Sequence, residues 1–153
     1  MKRIPIQNMT PGLVNGIDVQ MPAAVVPYQE DYFEWAASLL VAKIHTNEVS
    51  GGVLKAKPHA AIFREIETHI DAEMFYFVSG VALLLFMDVK EGQPDLETAQ
   101  VVRIQPGTQI VISAGKGHFV PVAEGDQPLE IIVVAPKMEA PRMPLPVEIE
   151  GIL

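Results

Sequence analysis

The sequence predicts an all-β, single-domain fold, and three observations carry that prediction. Thirteen prolines and eleven glycines cut the chain into short runs, leaving little room for helices of ordinary length. β-Branched residues crowd the second half, and such residues suit a pleated, half-buried surface. Turn signals then recur at strand-length spacing, at Pro106-Gly107, Gly115-Lys116-Gly117 and Gly125-Asp126, as in a barrel of hairpin-connected strands. At 153 residues the chain holds one sizeable core and not two. Its 49% hydrophobic and 20% charged residues suit a well-packed globule.

Taken in order, residues 1–30 are irregular, because Pro5, Pro11, Pro22 and Pro27 prevent a long helix. They are expected to wrap the barrel or pair with its edge. From Asp31 to Val41 a short apolar run fits a helical turn and a strand equally. Gly51-Gly52 marks a turn, Val53 to Lys57 a strand stopped by Pro58, and residues 60–70 a further strand. Phe75 to Val78 and Val81 to Val89 flank Ser79-Gly80 and read as a hairpin, followed by a loop from Lys90 to Asp95. Val101 to Gln105, Gln109 to Ser113, His118 to Ala123 and Leu129 to Val134 supply the remaining strands. The tail from Pro136 carries four prolines within eleven residues. It is expected to be extended, and either mobile or laid across a neighbouring subunit. The barrel core is thus placed at about 53–136, preceded by strands and loops in 1–52 and followed by the tail, 137–153.

Charge and residue usage exclude several functions. Nineteen acidic against eleven basic residues, a formal charge of −8, repel a phosphate backbone and argue against nucleic acid as a partner. The longest apolar stretch, Val81 to Met87, falls far short of the roughly 20 residues that span a bilayer. Two basic residues at the N-terminus are followed by no continuous apolar region, unlike a secretory signal. Absence of cysteine removes disulfides, thiolate ligands and cysteine nucleophiles, and is compatible with a cytoplasmic protein.

Chemistry concentrates between Glu67 and His118. Glu65, Glu67 and His69 share one strand parity, so a strand there projects them to one side. The first cluster reads Ala61-x5-Glu67-x-His69-x3-Glu73-x6-Gly80, and the second Gly107-x5-Ser113-x-Gly115-x2-His118. In this order the two clusters resemble the paired motifs of the cupin superfamily, Gly-x5-His-x-His-x3,4-Glu-x6-Gly and Gly-x5-Pro-x-Gly-x2-His-x3-Asn. His69, Glu73, Gly80, Gly107, Gly115 and His118 match; Glu67 exchanges one ligand type for another. Ala61, Ser113 and Val122 depart from the pattern. The resemblance implies a jelly-roll-like barrel with a divalent metal held by Glu67, His69, Glu73 and His118. Imidazoles with carboxylates suit Ni, Mn, Fe or Zn over a soft ion, and leave open positions for substrate. Two other readings stand beside it. Glu67 and His69 also fit exposed polar positions on an edge strand, and Glu67 in place of histidine fits a barrel that binds an organic ligand without metal. Glu73 discriminates, since a carboxylate leading into Met74-Phe75-Tyr76-Phe77-Val78 is costly to bury unless paired or coordinated.

From Lys55 to Pro136 the chain also resembles the ureidoglycolate lyase family, through Lys57-Pro58, Pro94-Asp95-Leu96, Pro106-Gly107 and Gly117-His118-Phe119-Val120-Pro121. It departs where that family usually carries tryptophan before the last histidine and a second histidine after it; here these are Gly117 and Phe119. The resemblance implies a dimeric, metal-assisted cytoplasmic enzyme that releases urea from ureidoglycolate to give glyoxylate. In such an enzyme Glu67 is either a ligand or the general base, its pKa raised by burial. Arg103 and Lys116 are candidates to bind a substrate carboxylate, although Lys116 reads first as a solvated lysine on a turn tip. Arg64 has the opposite parity to Glu67, and His45 and His59 lack ligand-spaced partners. A small-ligand-binding barrel without catalysis, and a sugar isomerase, are the alternatives.

Overall fold

The computed structural model describes residues 1–153 as thirteen strands and no helix: β1 (Lys2–Asn8), β2 (Ile17–Gln20), β3 (Tyr28–Gln29), β4 (Glu34–Trp35), β5 (Ser50–Ala56), β6 (Ile62–Glu67), β7 (Glu73–Ser79), β8 (Val81–Lys90), β9 (Gln93–Ile104), β10 (Gln109–Ile112), β11 (Val122–Glu124), β12 (Leu129–Ala135) and β13 (Arg142–Ile152). A six-stranded sheet has the order β11-β8-β9-β1-β13-β6, and a five-stranded sheet the order β2-β10-β7-β12-β5. β3 and β4 form a separate small ribbon. The expected all-β, jelly-roll-like double sheet is therefore the architecture, and no helix is long and apolar enough to cross a membrane.

The run Val81 to Met87 explains how the layers pack. Ala82, Leu84 and Phe86 join Phe75, Phe77, Ile110, Ile112, Leu129 and Ile131 in a cluster between the two sheets. Alternate residues Leu83, Leu85 and Met87 join a second cluster with Phe63, Ile66, Val101, Val122 and Ile149. Side chains alternate across a strand, so a strand buried on both faces must read as a continuous apolar run. All eight buried residues of the second cluster come from the six-stranded sheet, which therefore curls upon itself. Its two edges, β6 and β11, approach where Glu67 bridges His118 and Pro58 bridges Ala123. That curl brings two motifs far apart in sequence into backbone contact.

Four expectations need correction. Ser79-Gly80 does not make a hairpin, since β7 and β8 lie in different sheets; the turn carries the chain from one layer to the other. Gly80 permits it, with φ of 75°, where a Cβ would lie 2.6 Å from the Pro128 carbonyl oxygen. The hairpin is instead β8–β9, turning at Glu91-Gly92, so the supposed loop through Asp95 is already strand from Gln93. Most of the proline-rich tail is a strand of this chain's own sheet: β13 pairs with β1 and β6, Ile149 is fully buried, and the core extends past 136 to 152. At the other terminus β1 enters the sheet between β9 and β13, parallel to both. The barrel thus uses both ends that sequence reading had set outside 53–136. Residues 31–41 form no helix, and only Glu34–Trp35 is strand there.

Candidate metal centre

Four elements converge at one end of the space between the sheets. Glu67 is the last residue of β6 and Glu73 the first of β7, His69 lies in the connection between them, and His118 lies between β10 and β11. Reciprocal backbone bonds fix the two motifs together: the Glu67 N–H donates to the His118 carbonyl at 2.6 Å, and the His118 N–H returns one at 3.1 Å. The Gly115 N–H donates to the His69 carbonyl at 2.8 Å. The approach is tight at Gly117, where a Cβ would lie 3.1 Å from the Met87 carbonyl oxygen and 2.7 Å from Ile66 Cδ1, the end of a side chain that would have to shift.

The side chains then close on a common point. One ligand atom from each of Glu67, His69 and His118 lies within 4.8 Å of the others. Glu73 Oε2 lies 3.0 Å from His118 Nε2 and 3.4 Å from His69 Nε2, while Glu67 Oε1 stands 3.8 Å from His69 Nε2. All four residues assigned to the metal from sequence are thus neighbours. Phe75 and Phe86 stand 6.2 and 6.4 Å from the His118 ring, so the inner wall is apolar. His118 is buried, and the His69 side chain is only 8% exposed.

Two features fit a divalent cation. Both ring nitrogens of His69 are buried and neither makes a hydrogen bond of full geometry; Glu73 Oε2 at 3.4 Å is close enough for a charge contact with Nε2. Unpartnered buried nitrogens are costly unless something else binds them. His118 supplies the second feature: Nδ1 lies 2.9 Å from the Lys116 carbonyl oxygen and Nε2 3.0 Å from Glu73 Oε2. A neutral ring donates through one nitrogen only: without an ion Nε2–H can donate to Glu73, whereas Nδ1–H donating to the Lys116 carbonyl frees the Nε2 lone pair for an ion. Backbone orientation of a ligating histidine in this way is a common supporting device. Glu67, His69 and His118 offer one carboxylate and two imidazoles within reach of one point, a donor set suited to a divalent ion, with Glu73 against both rings.

Electrostatics separates the two carboxylates. Burial alone would raise the Glu73 carboxyl, but the hydrogen bond from His118 and the contact with His69 outweigh it and hold the pKa at about 2. Burial dominates at Glu67 and pushes its pKa up, with His118 and His69 opposing. The His69 ring is raised, first by its interaction with Glu73, against burial. The rise at Glu67 is in the direction expected for a general base, and the exposed-edge reading of Glu67 and His69 is not what the burial supports.

The other two candidates go elsewhere. Lys116 is no solvated turn lysine: its side chain is buried and its Nζ bonds Asp88 Oδ1 at 2.8 Å. Arg103 makes a two-point bond to Glu124, 2.6 Å at each oxygen, and reaches Asn8 at 3.2 Å. Neither cation bonds any of the four cluster residues, since each is consumed by a carboxylate that alternation alone did not identify as its partner. Arg64 pairs with Glu148 on the outside, as its parity implies. His45, read as an ordinary surface histidine, has an exposed ring but binds buried Asp71 through its backbone N–H at 3.0 Å and through Nδ1 at 2.5 Å. That contact ties the long 36–49 segment beside the cluster.

Access lies along residues 136–141, which connect β12 to β13. A cavity of about 770 Å³ is bounded by His69, Gly115, Lys137, Met138 and Glu139 among others. A second, of about 380 Å³, reaches Glu73 past Gly52, Val133, Lys137 and Met138. Sequence reading passed over Lys137 because it lies in a proline-rich stretch with no ligand-spaced neighbour.

No family model matches the sequence, and no curated protein matches it. Among solved structures, a serine-to-alanine mutant of Bacillus subtilis oxalate decarboxylase is similar at 20% identity and a TM-score of 0.45, covering 63% of this chain and 24% of that one. An oxalate decarboxylase from the same organism, studied for its Mn(II) centres, is similar at 20% identity and a TM-score of 0.46, again covering 63% and 24%. This chain therefore spans about a quarter of the length of those proteins.

Proposed function

We propose that the chain is a metal-dependent cupin enzyme, a lyase or hydrolase acting on a small hydroxy or oxo acid that bears an amide or ureide. Ureidoglycolate, giving glyoxylate and urea, is the named candidate, on the resemblance of residues 55–136. The observation that carries the metal reading is the meeting of Glu67, His69 and His118 within 4.8 Å, with both His69 nitrogens lacking a partner. Glu67, His69, Glu73 and His118 would hold the ion, which when bound supplies Lewis-acid polarisation of a substrate oxygen. The chain supplies the rest. The Lys116 carbonyl orients His118 through Nδ1, and Phe75 and Phe86 keep the inner wall dry. Glu67, with its pKa raised by burial, moves the proton if it is not a ligand.

A second reading is a metal-free barrel that binds a sugar or small acid without catalysis. It draws on the 3.0 Å bond between His118 and Glu73, which partners both groups without an ion. Elemental analysis of protein equilibrated with Mn, Fe, Ni and Zn separates the two. The enzyme reading expects about one tightly held divalent ion per chain, lost in His118→Ala, and release of urea from ureidoglycolate. Failure to retain any of these ions removes it; retention without urea release removes ureidoglycolate and leaves the metal assignment.

A further inference from the structure

The candidate centre is rich in negative charge, and a carboxylate substrate would need a cation beside it. Glu67 and Glu73 both face the cluster, and the two cations that sequence reading assigned to substrate are consumed by Glu124 and Asp88. Arg142 lies close to Glu67, but its guanidinium stacks 4.7 Å over the Phe119 ring and reaches Glu65 at 3.5 Å. Lys137 differs from all of these. It lines the cavity that reaches His69 and the cavity that reaches Glu73, and no other lysine or arginine lines either one. Lys2, Lys55, Lys90 and Lys116 each form an ion pair; Lys43, Lys57 and Lys137 form none, and of these three only Lys137 lines the two cavities. Its neighbours Pro136 and Pro141 restrict the backbone of the connection that carries it. Two carboxylates share the walls with Lys137, Glu139 in the larger cavity and Glu73 in the smaller; they disfavour a dianion there more than a monoanion.

We infer that Lys137 is the specificity-determining residue of the site, binding the carboxylate of a small monoanionic 2-hydroxy or 2-oxo acid between the His69 and Glu73 cavities. This rests on the proposed centre for its chemistry, since the same acid would turn its hydroxyl or oxo oxygen toward the four cluster residues. The Lys137 ammonium is a point charge with three donors on a flexible stem, suited to a carboxylate that enters from solvent. The inference expects the site to bind such an acid more tightly than its uncharged amide.

Glycolate and its uncharged counterpart glycolamide are the probes. Each is titrated into the full chain, with and without added Mn(II) or Zn(II), and followed by calorimetry, with metal content measured on the same samples. Lys137→Gln is expected to weaken glycolate about tenfold or more, the effect of one charge-assisted hydrogen bond. Glycolamide binding and metal content should be unchanged, and Lys137→Arg should recover most of the glycolate affinity. Equal glycolate affinity in Lys137→Gln and the parent chain overturns the inference even where metal is held, as does failure of the parent chain to bind glycolate. Lys137-dependent glycolate binding by protein that takes up no metal sustains the inference and removes the metal reading, so the two fail separately.

Discussion

Glu73 is held ionised where its position would otherwise neutralise it. It opens β7 just before Phe75 and Phe77, both buried, and the His118 and His69 rings keep its pKa at about 2 despite burial. Glu67, two residues from His69, is shifted the opposite way. Carboxylates pushed apart in this manner take different roles, one anchoring charge and the other exchanging a proton. If Glu67 is the base and not a ligand, replacing it by Gln leaves metal content intact while turnover falls roughly 100-fold or more. Loss of the metal in that variant would make Glu67 a ligand. A second prediction concerns Arg103, whose hydrogen bonds to Glu124 lower the Glu124 pKa. A carboxyl depressed in the folded state stabilises above its unfolded pKa, and that contribution disappears as pH falls through the lower folded value. Arg103→Gln should thus cost about 1 kcal/mol at neutral pH, the scale of a partly exposed pair. The difference from the parent chain should vanish on acidification; a difference that persists at low pH would assign the loss to packing instead.

At the scale of elements, β13 carries more than its composition suggests. Four prolines from Pro136 to Pro146 read as a segment unable to join a sheet, yet Arg142 to Pro144 pairs with Glu67 to Glu65, and Ile149 and Glu150 with Phe63 and Ile62. The register shifts between Pro144 and Ile149, so the prolines fall at an irregularity where ladder donors are not required. Ile149, with no exposed surface, packs into the cluster that closes the six-stranded sheet. Ile149→Ala is expected to cost about 2–5 kcal/mol, read as a lowered urea midpoint. A cost near zero would return the tail to the status of an appendage. The same strand sets Arg142 opposite Glu67, so loosening it should also disturb the centre.

At the scale of the whole molecule, the cluster links parts of the fold that would otherwise meet only through packing. β6 and β7 belong to different sheets, and the His118 connection bridges to Glu67 at the end of β6. An ion bound by residues from all three would cross-link the layers and stabilise the folded state by mass action, by about 2.7 kcal/mol at a free concentration 100 times its Kd. Chelation should lower the melting temperature, and stoichiometric Mn(II), Fe(II), Ni(II) or Zn(II) should restore it. His69→Ala and His118→Ala should show no such response. An identical shift in those variants would place the ion elsewhere.

Read by itself, the sequence determined the strand-rich class and the identity of the cluster residues, because these depend on local quantities. Proline and glycine frequency, β-branched runs and the fixed spacing of Glu67, His69 and Glu73 are visible within a few residues of each position. Tertiary structure alone decided which strands share a sheet, that both termini enter the core, and which cations are free. A two-residue turn such as Ser79-Gly80 serves a hairpin or a change of layer with the same chemistry. Whether Arg103 or Lys116 faces the centre depends on partners 21 and 28 residues away. Long-range pairing is set by the summed burial of both faces of β8 and by the curl of one sheet, and neither is encoded at any single position.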